Sequence, residues 1–235
     1  MRILTFGLAL LIGLAALTPA PEMQPVDYHT SLIRSTAHAG RFVALTIDDG
    51  PDPAWTPRIL DLLGEHGVQA TFCVVGWRVR SYPKLVERIH DEGHLLCDHT
   101  VNHDLYLRRR DPDTIEAEIR GGLAAIRAVV PDSDVRWFRA PGGNWSQLLV
   151  DIAARAGMKS LGWTVDPRDW ERPGSGVIVQ RVFSQLRPGG IILLHDAGGS
   201  TGALPGSGDR SQTVQALRVL LDELPRRGYR FDAPA

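Results

Sequence analysis

Lysine is almost missing from this chain. Among 235 residues only Lys84 and Lys159 occur, so arginine carries nearly all the positive charge, and the formal net charge is -1. Such a balance lacks the basic excess that draws a protein to nucleic acid, and no nucleic-acid partner is expected. Cysteine is scarce too. Cys73 and Cys97 are the only two and form no Cys-x-x-Cys pair, which excludes a thiolate-built zinc site. No apolar run reaches the roughly 20 residues of a membrane span, so no stable span is expected. No internal repeat stands out.

The longest apolar run is at the start. Arg2 precedes Ile3 to Leu17, and Thr-Pro-Ala-Pro follows. A positive start and a short apolar middle fit a secretory signal peptide over residues 1–20. The cleavage point is not fixed by the sequence, and an uncleaved anchor is the alternative. Residues 21–40 show no periodicity and read as a linker, leaving 41–235 as the folded domain. The expected location is secreted or extracytoplasmic. In an oxidising compartment Cys73 and Cys97 are either a disulfide or two small buried hydrophobes. A disulfide requires Cα atoms within about 7 Å.

From residue 41 strand-like runs alternate with helix-like segments. Strands are expected at 42–47, 70–76, 94–98, 135–141, 158–166, 189–196 and 229–231. Helices are expected at 56–67, 82–93, 111–130, 146–156, 176–186 and 211–227. In the third of these helices, Ile115, Ile119, Leu123 and Ile126 share a face. The pattern predicts an α/β fold with a parallel sheet, open or closed into a barrel. Residues 197–209 form a Gly-rich loop too long for a bare connection.

Unusual polar residues gather at the C-terminal ends of the predicted strands. Asp48 and Asp49 end the first, His99 and His103 follow the third, Arg139 ends the fourth, Asp166 and Asp169 the fifth, and His195 the sixth. That edge is where parallel α/β barrels place their chemistry. "HTVNH" sets two histidines four residues apart, on a helix or in a tight loop. With one carboxylate they make a three-donor set that leaves positions open, as catalytic zinc sites do. Two adjacent aspartates repel unless one binds a cation. The other is then free to act as general base. Arg139 suits an ion pair with that base. His195, ending an apolar strand, suits a general acid, with Asp169 on its other ring nitrogen. Trp163 is either core or cleft wall, and Trp170 is expected in the wall.

The ordered set "TIDDGP", "HTVNH", "RAPGG", "DPRDW" and "LLHD" resembles the polysaccharide deacetylases of the NodB-homology type, carbohydrate esterase family four. The resemblance covers roughly residues 41 to 231. It implies a distorted (β/α) barrel of about seven parallel strands. It implies Asp48 as base, Asp49, His99 and His103 as metal ligands, Arg139 as the group orienting the base, and His195 as acid tuned by Asp169. The implied cofactor is one divalent cation, usually zinc and sometimes cobalt or nickel. The implied reaction removes an acetyl group from a sugar. Gly142 stands where the family has an aromatic residue whose N–H serves the oxyanion hole; Trp145 is expected to replace the missing wall. Asp98 stands where Asn is common, and is expected to add negative charge if it lies near the site. Ile47 replaces a usual Phe.

These readings lead to an exported deacetylase acting on acetylated oligo- or polysaccharide as a monomer, on chitin oligomers or peptidoglycan. An acetyl-xylan esterase would use the same machinery. Two rivals come from other classes. A non-haem iron oxygenase shares the two-histidine, one-carboxylate triad, but leaves Asp48, Asp169 and His195 idle. A non-catalytic sugar-binding barrel would not need the full polar set.

Overall fold

The computed structural model describes residues 31–198 and 208–235. The expected signal peptide and most of the Gly-rich loop lie outside these residues. The strands are β1 (Phe42–Asp48), β2 (Thr71–Val74), β3 (Leu95–Asp98), β4 (Trp137–Phe138), β5 (Lys159–Ser160), β6 (Gly190–His195) and β7 (Arg230–Phe231). They pair in parallel in the order β5-β4-β3-β2-β1-β6, with β7 beside the start of β1. Around them lie the helices α1 (Thr56–His66), α2 (Gly76–Ser81), α3 (Pro83–Asp91), α4 (Pro112–Val129), α5 (Gln147–Arg155), α6 (Ser175–Gln185) and α7 (Ser211–Arg226). The sheet curls as the distorted (β/α) barrel expected. Among the described residues no helix is long and apolar enough to cross a membrane.

Two expectations need correction. The single strand expected over 158–166 is broken. Lys159 and Ser160 pair with β4, and Val165 then bridges Ile192 of β6. Between them the Arg139 side chain takes the carbonyls of Leu161 and Gly162, so those carbonyls are not free for a continuous ladder. The Val165 bridge brings the two ends of the sheet together. The second correction concerns the linker. From residue 31 it is tied to the domain: Ile33 N–H donates to Ser160 at 2.8 Å, Gly162 N–H returns to Ile33 at 2.8 Å, and Leu32 is buried in the core. A segment held mainly by its backbone has no need of a patterned face, so periodicity did not reveal it.

Strand parity explains both the core and the placement of the site. Ala44, Cys73, Cys97, Trp137, Leu161 and Ile191 form one buried cluster inside the barrel. Their neighbours in sequence, such as Leu45, Phe72, Leu96, Phe138 and Ile192, belong to the larger cluster beneath the helices. Cys73 and Cys97 are register partners with Cα atoms 4.2 Å apart, and they are joined as a disulfide. On β1 the inward row runs Ala44, Thr46, Asp48. The interior therefore turns polar at its C-terminal end.

The helices follow from simple signals. Asp111 caps α4 by accepting the Thr114 N–H at 2.9 Å, Pro112 fills the first turn, and Ile115, Ile119, Leu123 and Ile126 are all buried. Ile119→Ala should cost about 2–5 kcal/mol of stability. Urea unfolding beside the exposed control Arg120→Ala checks this. Equal midpoints for the two variants would contradict the packing of α4.

Candidate active site

Asp48 ends β1 pointing inward and is buried. Asp49 leaves the strand with φ +80°, a left-handed conformation uncommon outside glycine. One step of backbone thus turns two adjacent carboxylates apart, though both stay near His99, whose Nε2 lies 3.7 Å from Asp48 Oδ2. Asp48 Oδ1 accepts from Arg139 Nη1 at 2.5 Å, whereas Asp49 Oδ1 lies 3.2 Å from His103 Nε2 and 3.6 Å from His99 Nε2.

The histidines sit on a tight loop rather than a helix. Thr100 and His103 have φ of +68° and +55°. Asp98 and Thr100 hold that shape: Asp98 Oδ1 accepts the Thr100 N–H at 3.0 Å, and Thr100 Oγ1 accepts the His103 N–H at 3.0 Å. This corrects the expectation for Asp98. Parity turns its side chain outward, away from the donor cluster, so close to Gly122 of α4 that a Cβ there would lie 2.0 Å from its Oδ1. Burial raises its carboxyl well above the usual range, and its side chain supports the loop rather than joining the donor cluster.

One donor atom each from Asp49, His99 and His103 lies within 4.8 Å of the others, and all three residues are buried. This is the one such cluster among the described residues. His99 donates its Nδ1–H to the Arg139 carbonyl at 2.7 Å, leaving the Nε2 lone pair toward Asp49 as a metal ligand requires. Burial lowers the His103 pKa to about 4 against the opposing pull of Asp49, which keeps the ring neutral. Burial pushes the Asp49 carboxyl up, but the protonated forms of His103, His99 and His195 would hold it far below its usual range. Two imidazole nitrogens and one carboxylate suit a divalent cation of the zinc type.

Arg139 is fully buried and spans the barrel to Asp48, Thr46 and the Leu161 and Gly162 carbonyls. His195 ends β6 beside Asp48, its register partner. Its Nδ1–H donates to Asp169 Oδ1 at 2.7 Å, and its backbone N–H to Asp169 Oδ2 at 3.0 Å. Thr213 of α7 also donates to Asp169, at 2.8 Å.

These groups open onto a cleft of about 480 Å³. Its walls include Leu105, Gly142, Trp163, Asp166 and the exposed Trp170. Trp145, expected as the substitute wall, does not line it. Gly142 and Gly143 both have positive φ and turn the chain, and Trp145 is buried edge-on against Phe138, ring centroids 5.7 Å apart. Leu105 takes the wall position instead. A Cβ on Gly142 would lie 2.9 Å from its Cδ2, and Asn144 donates to its carbonyl at 3.0 Å. Trp163 packs on Gly143, where a Cβ would come within 2.4 Å of the ring. The sequence did not single out Leu105 or Asn144; the only signal was Leu105 lying two residues beyond His103.

Residues 36–161 match the family model for polysaccharide deacetylase. The chain belongs to the polysaccharide deacetylase family. A chitooligosaccharide deacetylase from Bradyrhizobium sp. (strain ANU 289) is 43% identical over 191 residues, covering 80% of this chain and 87% of that one. Among solved structures, the Bc1960 peptidoglycan N-acetylglucosamine deacetylase superposes with TM-score 0.77 at 30% identity, covering 86% and 90%. A family 4 carbohydrate esterase pseudoenzyme from Bacillus anthracis superposes with TM-score 0.72 at 30% identity, covering 81% of this chain; this chain spans 63% of that one. Members of this family depend on a metal ion, and the Asp49, His99 and His103 cluster is a fitting place for one.

Burial lowers the His195 pKa, but Asp169, by charge and hydrogen bond, and the nearby Asp49 and Asp48 raise it to about 9. Because the folded value exceeds the ordinary 6.5, the pairing stabilises the fold fully below about pH 6.5 and fades as pH rises through about 9. Any activity needing protonated His195 falls over the same alkaline limb. Asp169→Asn removes the main opposing charge while burial remains, so that limb moves to lower pH. A pH–rate profile checks this, and an unmoved limb would contradict the pairing.

Proposed function

We propose that this polysaccharide deacetylase is an exported, zinc-dependent enzyme that hydrolyses acetyl groups from N-acetylated sugars, in chitin oligomers or peptidoglycan. The observation that carries the proposal is a single cleft holding the Asp49–His99–His103 donor set, Asp48 fixed by Arg139, and His195 fixed by Asp169. Its relatives named above act on chitooligosaccharide and on N-acetylglucosamine of peptidoglycan. Since the family also contains a pseudoenzyme, the fold alone does not carry the activity; the complete polar set does.

When bound, the cation supplies a Lewis acid that polarises the acetyl carbonyl and acidifies water. Asp48 accepts the proton of the attacking water, its free oxygen facing the cleft while Arg139 holds the other. The Gly142 N–H donates to the oxygen on which negative charge develops. His195, protonated at neutral pH, gives its proton to the departing amine. Trp170 and Trp163 offer flat apolar faces to sugar rings. Export is supported by the N-terminal apolar run and by the Cys73–Cys97 disulfide, a bond that persists in oxidising compartments.

Acetate release from a panel of N-acetylated and O-acetylated glycans, with chelator and with added zinc, tests the reading. Release from N-acetylated substrates that chelator abolishes and zinc restores is expected. Release from acetyl-xylan alone would favour the esterase, and oxygen consumption with iron would favour the oxygenase. Asp48→Asn should lower turnover by about 10²–10⁴-fold while elemental analysis finds the metal retained. A variant with unchanged turnover would remove Asp48 from the role of base.

A further inference from the structure

The residue after the acid, Asp196, is fully buried and has no part in the chemistry above. Its backbone N–H donates to the Asp48 carbonyl at 3.2 Å. Its carboxyl lies against Gly50, where a Cβ would come within 2.2 Å of Oδ2 and 2.3 Å of Oδ1. Thr56, also fully buried, donates its hydroxyl to Asp196 Oδ2 at 2.5 Å and accepts the Asp52 N–H at 2.7 Å. The carboxyl therefore clasps both ends of the turn that follows Asp49. Its main chain reaches Asp48, its side chain covers Gly50, and through Thr56 it holds Asp52.

We propose that Asp196 is a positioning residue, which fixes the Asp48–Asp52 turn to the end of β6 and so sets the placement of the base Asp48 and the metal ligand Asp49 relative to the acid His195. The proposal rests on the deacetylase reading above. The clasp needs an acceptor oxygen and the right shape, not a charge. In accord with this, burial raises the Asp196 carboxyl to about 7, and Oδ1 has no hydrogen-bond partner among the described residues. The groups facing it are Asp49, Asp52, Arg78 and Thr56. The close approach also accounts for glycine at position 50, since any side chain there would displace the carboxyl.

The test compares Asp196→Ala, Asp196→Asn and Thr56→Val with the wild type in the full chain. Zinc affinity is measured by competition with a chromophoric chelator, without substrate, beside kcat, KM and thermal midpoint. Asp196→Ala should weaken zinc binding and lower kcat, each by about 10- to 100-fold, the range seen when groups supporting a metal ligand are removed. KM should change little. Asp196→Asn, which keeps the acceptor and the shape, should restore both. Thr56→Val should move both in the same direction by less, and decides the question if Asp196→Ala does not fold. A lowered thermal midpoint with wild-type zinc affinity and kcat in Asp196→Ala and Thr56→Val would reduce Asp196 to a structural residue and overturn the proposal. So would an Asp196→Asn variant as impaired as Asp196→Ala. A wild type that binds zinc yet releases no acetate would sink the deacetylase reading, while the zinc affinities would still judge the clasp.

Discussion

Arg139 lies wholly inside the barrel, and several features of the site meet on it. Its guanidinium pairs with Asp48 and hydrogen-bonds Thr46, Leu161 and Gly162, while its own carbonyl accepts from His99. A buried charge costs several kcal/mol unless it is paired and its remaining donors are satisfied. Here both conditions are met by groups that do other work. The carbonyls it takes belong to the break between β5 and Val165, so the guanidinium that steadies Asp48 also bends the chain that closes the barrel. The carbonyl it offers sets the tautomer of a metal-ligand candidate. Replacing Arg139 would thus disturb Asp48, His99 and the sheet closure together.

The other constraint is the separation of two neighbouring carboxylates. Asp48 remains in the strand and keeps its inward parity. Asp49 adopts a left-handed backbone and reaches the histidines. Arg139 compensates the first charge. The second faces His103, which burial keeps neutral, and lies with it and His99 in one donor cluster that suits a cation. Strain of this kind is tolerated where the surroundings over-determine it, and here Asp49 N–H donates to the Cys73 carbonyl and Gly50 accepts from Val75.

Much of this was legible in the sequence because the informative residues sit at strand ends. Asp48, Asp49, His99, His103, Arg139, Asp169 and His195 all reach the one cleft or its supports, since parallel strands bring their C-terminal ends to the same edge. The helices were legible where a cap and an apolar face coincide, as in α4. The failures have a common cause. Asp98 and Trp145 lie next to site residues in sequence, and neighbourhood in sequence was taken for neighbourhood in space. One step along a strand reverses the side chain, and two glycines of positive φ redirect the chain. The break in the strand over 158–166 depends on a guanidinium arriving from another strand, which no local pattern records. Residues 31–37 are held by backbone bonds, to which side-chain periodicity is blind.

The most direct test of the account is anomalous diffraction at the zinc edge from crystals of the zinc-loaded protein. The account predicts one ion within about 2.0–2.2 Å of Asp49, His99 and His103, with Asp48 outside the ligand sphere and still paired to Arg139. An ion bound elsewhere, or Asp48 in place of Asp49 among its ligands, would contradict it.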